Sequence, residues 1–418
     1  MAEYTKVIKL LMVSILNNNK FYNLFDHGDG SMHVEFGRVD LTRNKKEYPI
    51  GKWDSIYKSK TKKGYKDITE FAIEVEVNEN NDGTVETVKI GDSRVERFFN
   101  KLNGYSKKSI ERNYKISSAA VTQAMVDRAQ EIIESLHTKA VLNTDTDEMN
   151  EILLDLFHTI PRKMRQVRDH LFEGFDNDDD LKESLELISN EQSTLDVLSN
   201  DVKMLAAQKK NEVGSPSVQE QNILDTLGLK IISATPEEER GLKKLMGGNA
   251  RQFVEAFKIV NSRSQQKFDK HLTGVSNKYT LEMFHGSRNE NWLNIINTGL
   301  VIRPTGAVHT GSMFGDGIYG ADDADKSIGY CSTRGSRWAN GNDDEALLGI
   351  FDFHLGNQYH TANSDSRLSK AKLKSLGNYD STFGHKGGGK YGGYLRKNEF
   401  IVYDADQVTI KYLIRIKS

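Results

Sequence analysis

The chain has 418 residues, of which 37% are hydrophobic and 28% charged, with a formal net charge of −2. That length allows two or three domains, and the composition is that of a globular chain rather than a membrane-embedded or disordered one. A single cysteine, Cys331, excludes an intramolecular disulfide and a zinc site built on several thiolates, while the near-neutral charge does not commit the whole chain to nucleic acid.

The first apolar run, Val7–Leu16, carries Lys9 and is too short to span a membrane. It also lacks the basic leader and cleavage site of a secretory signal, so a reducing intracellular setting without a membrane partner is expected: nucleus in a eukaryote, cytoplasm otherwise. From residue 1 to about 100, apolar and polar positions alternate over short runs: Phe21–Phe25, Met32–Phe36 and Phe71–Val77. Turn residues separate them at Asp26–Gly30 and Asn78–Gly83, which predicts a small antiparallel β domain. This end is basic, with 13 Lys and Arg against 9 Asp and Glu in residues 1–70. Lys58, Lys60, Lys62, Lys63 and Lys66 cluster there; charge alone fits a polyanion contact and a solvated loop equally.

From about 116 to 212 the period becomes helical: Val121, Met125, Ile132, Ile133 and Leu136, then Ile152, Leu153, Leu156 and Phe157, then Leu195, Leu198, Val202 and Leu205. Ser117-Ser118 and Ser193-Thr194 are the expected N-caps, Pro161 ends the second helix, and Asp176–Asp180 is an acidic loop. Asn211–Gln219 reads as a linker. Beyond it, a helix over Glu237–Met246 and a strand over Phe253–Val260 lead into a glycine-rich last third. That third closes on alternating Phe400, Val402, Ile410, Tyr412, Ile414 and Ile416, an α+β pattern with the last strands buried on one face.

Four patches of the last third carry polar chemistry: Met283–Arg288 (MFHGSR), Gly315–Ala321 (GDGIYGA), Lys326–Cys331 (KSIGYC) and Asn398–Asp404 (NEFIVYD). Taken singly, each has an ordinary reading: a structural histidine, packing tyrosines, a plain glycine turn, a solvent-facing glutamate. Gly387–Lys390 (GGGK) lacks the spacing and strand–helix context of a phosphate loop and falls in the loop before the last strands.

In order and spacing, the patches resemble the poly(ADP-ribose) polymerase family of ADP-ribosyltransferases over residues 225–418. The family's His-Tyr-Glu set maps onto His285, Tyr319 and Glu399, with matching flanks at Gly299-Leu300, Met313–Gly315, Leu347–Gly349, Leu355–Asn357 and Gln407–Leu413. Leu156–Pro161 and Leu195–Leu205 are similar to parts of the family's helical regulatory domain. The stretch ahead of Lys115 reads as too short and too polar for all of that domain's first helices. The first hundred residues resemble a WGR domain through Phe36–Val39 and Lys60–Tyr65. Phe36 stands where that family has Trp, which keeps a stacking ring but removes the indole N–H.

The resemblance implies a multidomain α+β protein. Residues 1–105 would be a WGR-like DNA-binding β domain, 115–212 a helical regulatory bundle, complete or trimmed, and 222–418 an α+β ADP-ribosyltransferase domain. It implies NAD⁺ as consumed co-substrate, with no metal. Glu399, His285 and Tyr319 are the catalytic set, and NAD⁺ contacts come from His285, Gly286, Ser287, Asn291, Tyr319, Lys326, Ser327 and Tyr330. Glutamate at position 399 accompanies chain elongation in that family, so polymer formation on protein acceptors, the chain itself included, is the first expectation. DNA strand breaks with 5′-phosphorylated ends are the expected activator, met by Phe36, Arg38, Lys60, Lys62 and Lys63. The alternatives are a mono-ADP-ribosyltransferase with the same core and a DNA-end-binding scaffold without turnover. A reversible NAD⁺ dehydrogenase has no glycine fingerprint to support it.

Overall fold

The computed structural model describes residues 4–39, 43–69, 92–115, 118–142, 145–175, 177–212, 223–302, 313–339, 341–388, 393 and 395–418. The expected strand Phe71–Val77, the turn Asn78–Gly83, Ser117 and most of the linker to Gln219 lie outside them. The chain divides into two compact units, residues 1–85 with 107–205, and residues 86–106 with 206–418.

In the first unit, β1 (Lys6–Ser14), β2 (Asn18–Asp26), β3 (Ser31–Arg38) and β4 (Asn44–Pro49) form an antiparallel meander. The short β5 (Lys66–Asp67) pairs with the free edge of β1. Alternation sends Leu10, Tyr22, Leu24, Met32 and Val34 to one face, where they bury against Trp53. Trp53 opens a helix, Trp53–Thr61, so Lys58 and Lys60 of the lysine cluster are helical rather than loop.

Helices Gln123–Val141, Thr146–Thr159 and Asp178–Glu212 complete this unit. Thr122 and Asp145 cap the first two, and Asn177 accepts from the N–H groups of Asp179 and Asp180 at the start of the third. Ser193 and Thr194 are therefore not caps: they lie inside a continuous 35-residue helix. The Thr194 hydroxyl donates back to the Asn190 carbonyl at 2.7 Å, so the side chain no longer competes for a helix-start N–H. Between these helices Arg162 pairs with Glu191 at 3.1 Å, its guanidinium 4.8 Å from the Tyr114 ring. His158 donates from Nδ1 to the Leu154 carbonyl and accepts the Val13 N–H on Nε2, which ties β1 to its helix.

Ser93–Asn113 forms one 21-residue helix. The boundary expected at 105 falls inside it, and the polar stretch ahead of Lys115 is this one helix. Val95, Phe98, Phe99, Leu102 and Ile110 are buried at helical spacing although lysines and Gly104 interrupt the pattern. Its first half belongs to the second unit, where Phe98 stacks on Phe257 at 3.9 Å and Arg94 pairs with Glu239 and Glu255.

The second unit is mixed α/β with mainly antiparallel sheets. One sheet orders β6 (Leu229–Ser233), β7 (Phe253–Asn261), β14 (Val408–Lys417), β10 (Glu345–His354) and β8 (Thr280–Gly286). The other orders β11 (Gln358–Thr361), β12 (Ser381–Gly384), β13 (Glu399–Val402) and β9 (Ile318–Gly320). Helix Pro236–Met246 begins with a capping box between Thr235 and Glu238. The last strand is not buried on one face only: β14 is the middle strand of its sheet, so Thr409 and Leu413 are buried as fully as Ile410 and Ile414.

Candidate active site

The two sheets of the second unit are joined where the Phe284 and Ala321 backbones exchange both hydrogen bonds, at 2.8 and 3.0 Å. That bridge sets the end of β8 beside β9, and β13 lies on the far side of β9, with Phe400 opposite Gly320 and Ile401 opposite Tyr319. The strand ends carrying His285, Tyr319 and Glu399 thus converge although 114 positions separate the first from the last (399 − 285).

His285 directs Nδ1 to the Tyr319 carbonyl at 3.0 Å. A carbonyl only accepts, so Nδ1 carries the proton and Nε2 is left as an acceptor. The ring is wedged edge-on between Trp292 and Phe351, and burial lowers its pKa, which keeps it neutral. The Tyr319 hydroxyl donates to the Gly315 carbonyl at 2.8 Å and accepts the Phe314 N–H at 2.9 Å, fixing the ring; burial pushes the phenol pKa far upward.

Glu399 is 7% exposed. One carboxylate oxygen pairs with the Lys326 ammonium, while Oε2 is buried without a hydrogen-bond partner. Burial raises its pKa and Lys326 opposes that rise. The same carboxylate acts electrostatically on both Tyr319 and Tyr330, the latter pushed up to about 12, mainly by burial.

Helix Ala324–Ile328, capped by Asp323, brings Lys326 and buried Ser327 to this place. A Cβ at Gly286 would come within 1.8 Å of the Ser327 carbonyl and 3.2 Å of the Tyr330 Cβ. Glycine is needed there because the protein's own wall, not only a ligand, presses on the strand end. Ser287 Oγ accepts from Asn291 Nδ2 at 3.1 Å, which joins the last two expected NAD⁺ contacts. Cys331 is fully buried, its thiol bonded to the Ser327 and Leu347 carbonyls, so it braces the same wall. A cleft of about 570 Å³ opens beside the carboxylate's strand, lined by Asn398, Lys397, Asp322, Asp323 and Asp325 among others. Of the GGGK run, Gly389 and Lys390 lie outside the described residues.

Together these residues form a largely buried recess with aromatic neighbours, a neutral histidine acceptor and one carboxylate oxygen without a donor. That set suits a large, multiply hydroxylated ligand with a cationic or incipiently cationic centre. Sequence reasoning missed the residues that hold the recess in shape. Trp292 on His285 opens the helix Trp292–Thr298, Phe351 on its other side lies in β10, and Trp338, stacked on Tyr330 at 6.1 Å, lies in a loop without a local pattern.

The expected DNA-contacting residues lie in the first unit. Phe36 stacks on Tyr22 at 5.4 Å, and the Lys60 ammonium covers the other part of that aromatic group, 3.8 Å from the Tyr22 ring centroid. Arg38 donates to the Asn17 carbonyl and side chain and to the Arg165 carbonyl. Lys62 and Lys63 are exposed.

Residues 239–418 match the family model described as "Poly(ADP-ribose) polymerase catalytic domain". Among curated proteins, uncharacterized protein 101L of Invertebrate iridescent virus 6 is 31% identical over 201 residues, spanning 48% of this chain and 79% of that protein. The poly(ADP-ribose) polymerase-like protein 100L of the same virus is 30% identical over 166 residues, 38% of this chain and 83% of its own length. Poly(ADP-ribose) polymerase 2 of Arabidopsis thaliana is 24% identical over 96% of this chain and 71% of its own.

Proposed function

Because the chain belongs to the poly(ADP-ribose) polymerase family and is an NAD⁺-dependent ADP-ribosyltransferase, we propose that Glu399, His285 and Tyr319 carry its chemistry and that it builds ADP-ribose chains on protein acceptors, itself included. Cleavage of the ribose–nicotinamide bond passes through an oxocarbenium-like state, and the departing pyridinium needs no proton. The enzyme has instead to hold the nicotinamide and stabilise positive charge on the ribose. The observation that carries this reading is the buried, unpartnered Glu399 Oε2. It accepts a hydroxyl from the nicotinamide ribose and sets a negative charge beside the developing cation.

The remaining roles follow from the same recess. Gly286 offers backbone groups and Ser327 a hydroxyl to the carboxamide. Tyr330 and Tyr319 sandwich the nicotinamide ring. His285 Nε2 accepts from the adenosine ribose, and Ser287 and Asn291 line the adenosine half. Lys326 holds Glu399 ionised, and acceptors enter by the cleft at Lys397–Asn398.

The N-terminal half is assigned a DNA-break sensor, with a WGR-like domain in 1–105, a helical regulatory domain in 115–212 and the transferase in 222–418. The alignment with the Arabidopsis protein over 96% of the chain carries the likeness to that family beyond the transferase into this half. Lys62 and Lys63 are the cations best placed for phosphates, since Lys60 is taken up by aromatic rings and Arg38 by its own chain. Incubation of the full chain with labelled NAD⁺, with and without nicked DNA bearing 5′-phosphates, tests all three points on one gel. Polymer ladders that grow with DNA are expected, weakened by salt and by Lys62→Glu with Lys63→Glu. Single additions at saturating NAD⁺ would overturn elongation, and full activity without DNA would overturn activation.

A further inference from the structure

We propose that Trp338 is a positioning residue for NAD⁺ cleavage: its indole backs Tyr330 as the outer layer of an aromatic stack and so holds that ring in place for nicotinamide. The inference rests on the reading that Tyr330 meets the nicotinamide ring. The two ring centroids are 6.1 Å apart with planes 22° from parallel, an offset stack within the favourable range. The Arg337 guanidinium lies 4.8 Å from the indole centroid, a second contact that holds the ring.

Trp338 is 45% exposed, a poor place for a large apolar ring unless something local holds it. Several things do. Its backbone N–H donates to the Gly329 carbonyl at 2.9 Å, and the indole Cδ1 would lie 3.3 Å from a Cβ at Gly329, so glycine leaves the space the indole uses. The loop that presents it is pinned at both ends, Arg334 N–H to the Asp343 carbonyl at 3.0 Å and Asp343 N–H to the Ser332 carbonyl at 2.9 Å. Within it, Ser336 Oγ accepts the Gly341 N–H at 2.9 Å. A pinned loop that holds an indole against a site tyrosine restricts the swing of Tyr330 before substrate arrives, which lowers the ordering cost of binding.

The test uses the full chain and steady-state nicotinamide release from NAD⁺, with product inhibition by nicotinamide measured in parallel. An aromatic pair contributes about 0.5–1.5 kcal/mol beyond burial, so Trp338→Ala should raise both KM for NAD⁺ and the nicotinamide inhibition constant about three- to ten-fold. The value of kcat should change less than about two-fold, and Trp338→Phe, which keeps a ring, should recover most of the loss. Unchanged KM and inhibition constant in Trp338→Ala, or a Phe variant as weak as the Ala variant, would overturn the proposal. Tyr330→Ala separates the two layers of argument. If it leaves nicotinamide inhibition intact, the stacking reading of Tyr330 falls and Trp338 with it; if it weakens inhibition while Trp338→Ala does not, only the role of Trp338 falls.

Discussion

Each unit of this chain buries a glutamate beside a cation and a tyrosine, and the two glutamates behave differently. Glu191 and Glu399 are each 7% exposed, and burial raises the pKa of both against an opposing cation, Arg162 in one unit and Lys326 in the other. Each carboxylate also acts on a neighbouring phenol, Tyr114 or Tyr319. The difference lies in what surrounds them. Glu191 sits within a 35-residue helix, facing a planar guanidinium that also lies against an aromatic ring. Glu399 starts a strand where two sheets meet, and its second oxygen has no partner. A buried charge and a shifted pKa therefore do not by themselves mark a site.

Three experiments sharpen or break that contrast. Arg162→Met should lower the unfolding free energy by about 3–5 kcal/mol, since it strands a buried carboxylate, and adding Glu191→Leu should recover most of it. Urea denaturation followed by circular dichroism reads both, and a silent single variant would end the view of Glu191 as a structural charge. His158 comes next. Burial and the Lys66 ammonium hold its pKa down to about 4, so the folded state keeps the ring neutral while the unfolded chain titrates near the ordinary histidine value. Stability from this group is complete above about pH 6.5 and is lost as pH falls toward 4, on the order of 2–3 kcal/mol. His158→Gln should flatten the stability profile across that window. The smallest effect falls at the site: Lys326→Met leaves the burial of Glu399 unopposed, so its pKa rises further. The acidic limb of kcat/KM, which needs the carboxylate, should then move to higher pH, and Lys326→Arg should restore it. An unmoved limb would remove Lys326 from the account.

What the sequence revealed and what it hid divide along local and non-local lines. The period of two in β2 and β3 and the helical apolar spacing of Gln123–Val141 were legible because neighbours in sequence share one face. His285, Tyr319 and Glu399 were singled out by the family resemblance and not by their own runs, each of which has an ordinary reading alone; the bridge at Phe284 and Ala321 is what brings those runs together. The helix Ser93–Asn113 was hidden by Gly104 and a lysine-rich face, which dilute its five buried apolar positions. Burial of β14 on both faces was hidden because Thr409 is polar and the strand's place in the sheet is set by β7 and β10, far away in sequence. Trp338 carries no periodic signal at all, and its meaning appears only when the loop folds back on Tyr330.

The most direct measurement is nicotinamide release from NAD⁺ by the wild-type chain and by Glu399→Gln, with NAD⁺ affinity and the melting temperature measured alongside. A fall in kcat of about 10²- to 10³-fold, with binding and folding retained, is the expected result, because the amide keeps the shape but loses the charge that faces the oxocarbenium centre. A Glu399→Gln chain that turns over NAD⁺ within a few-fold of wild type would contradict the assignment of that carboxylate as the catalytic group.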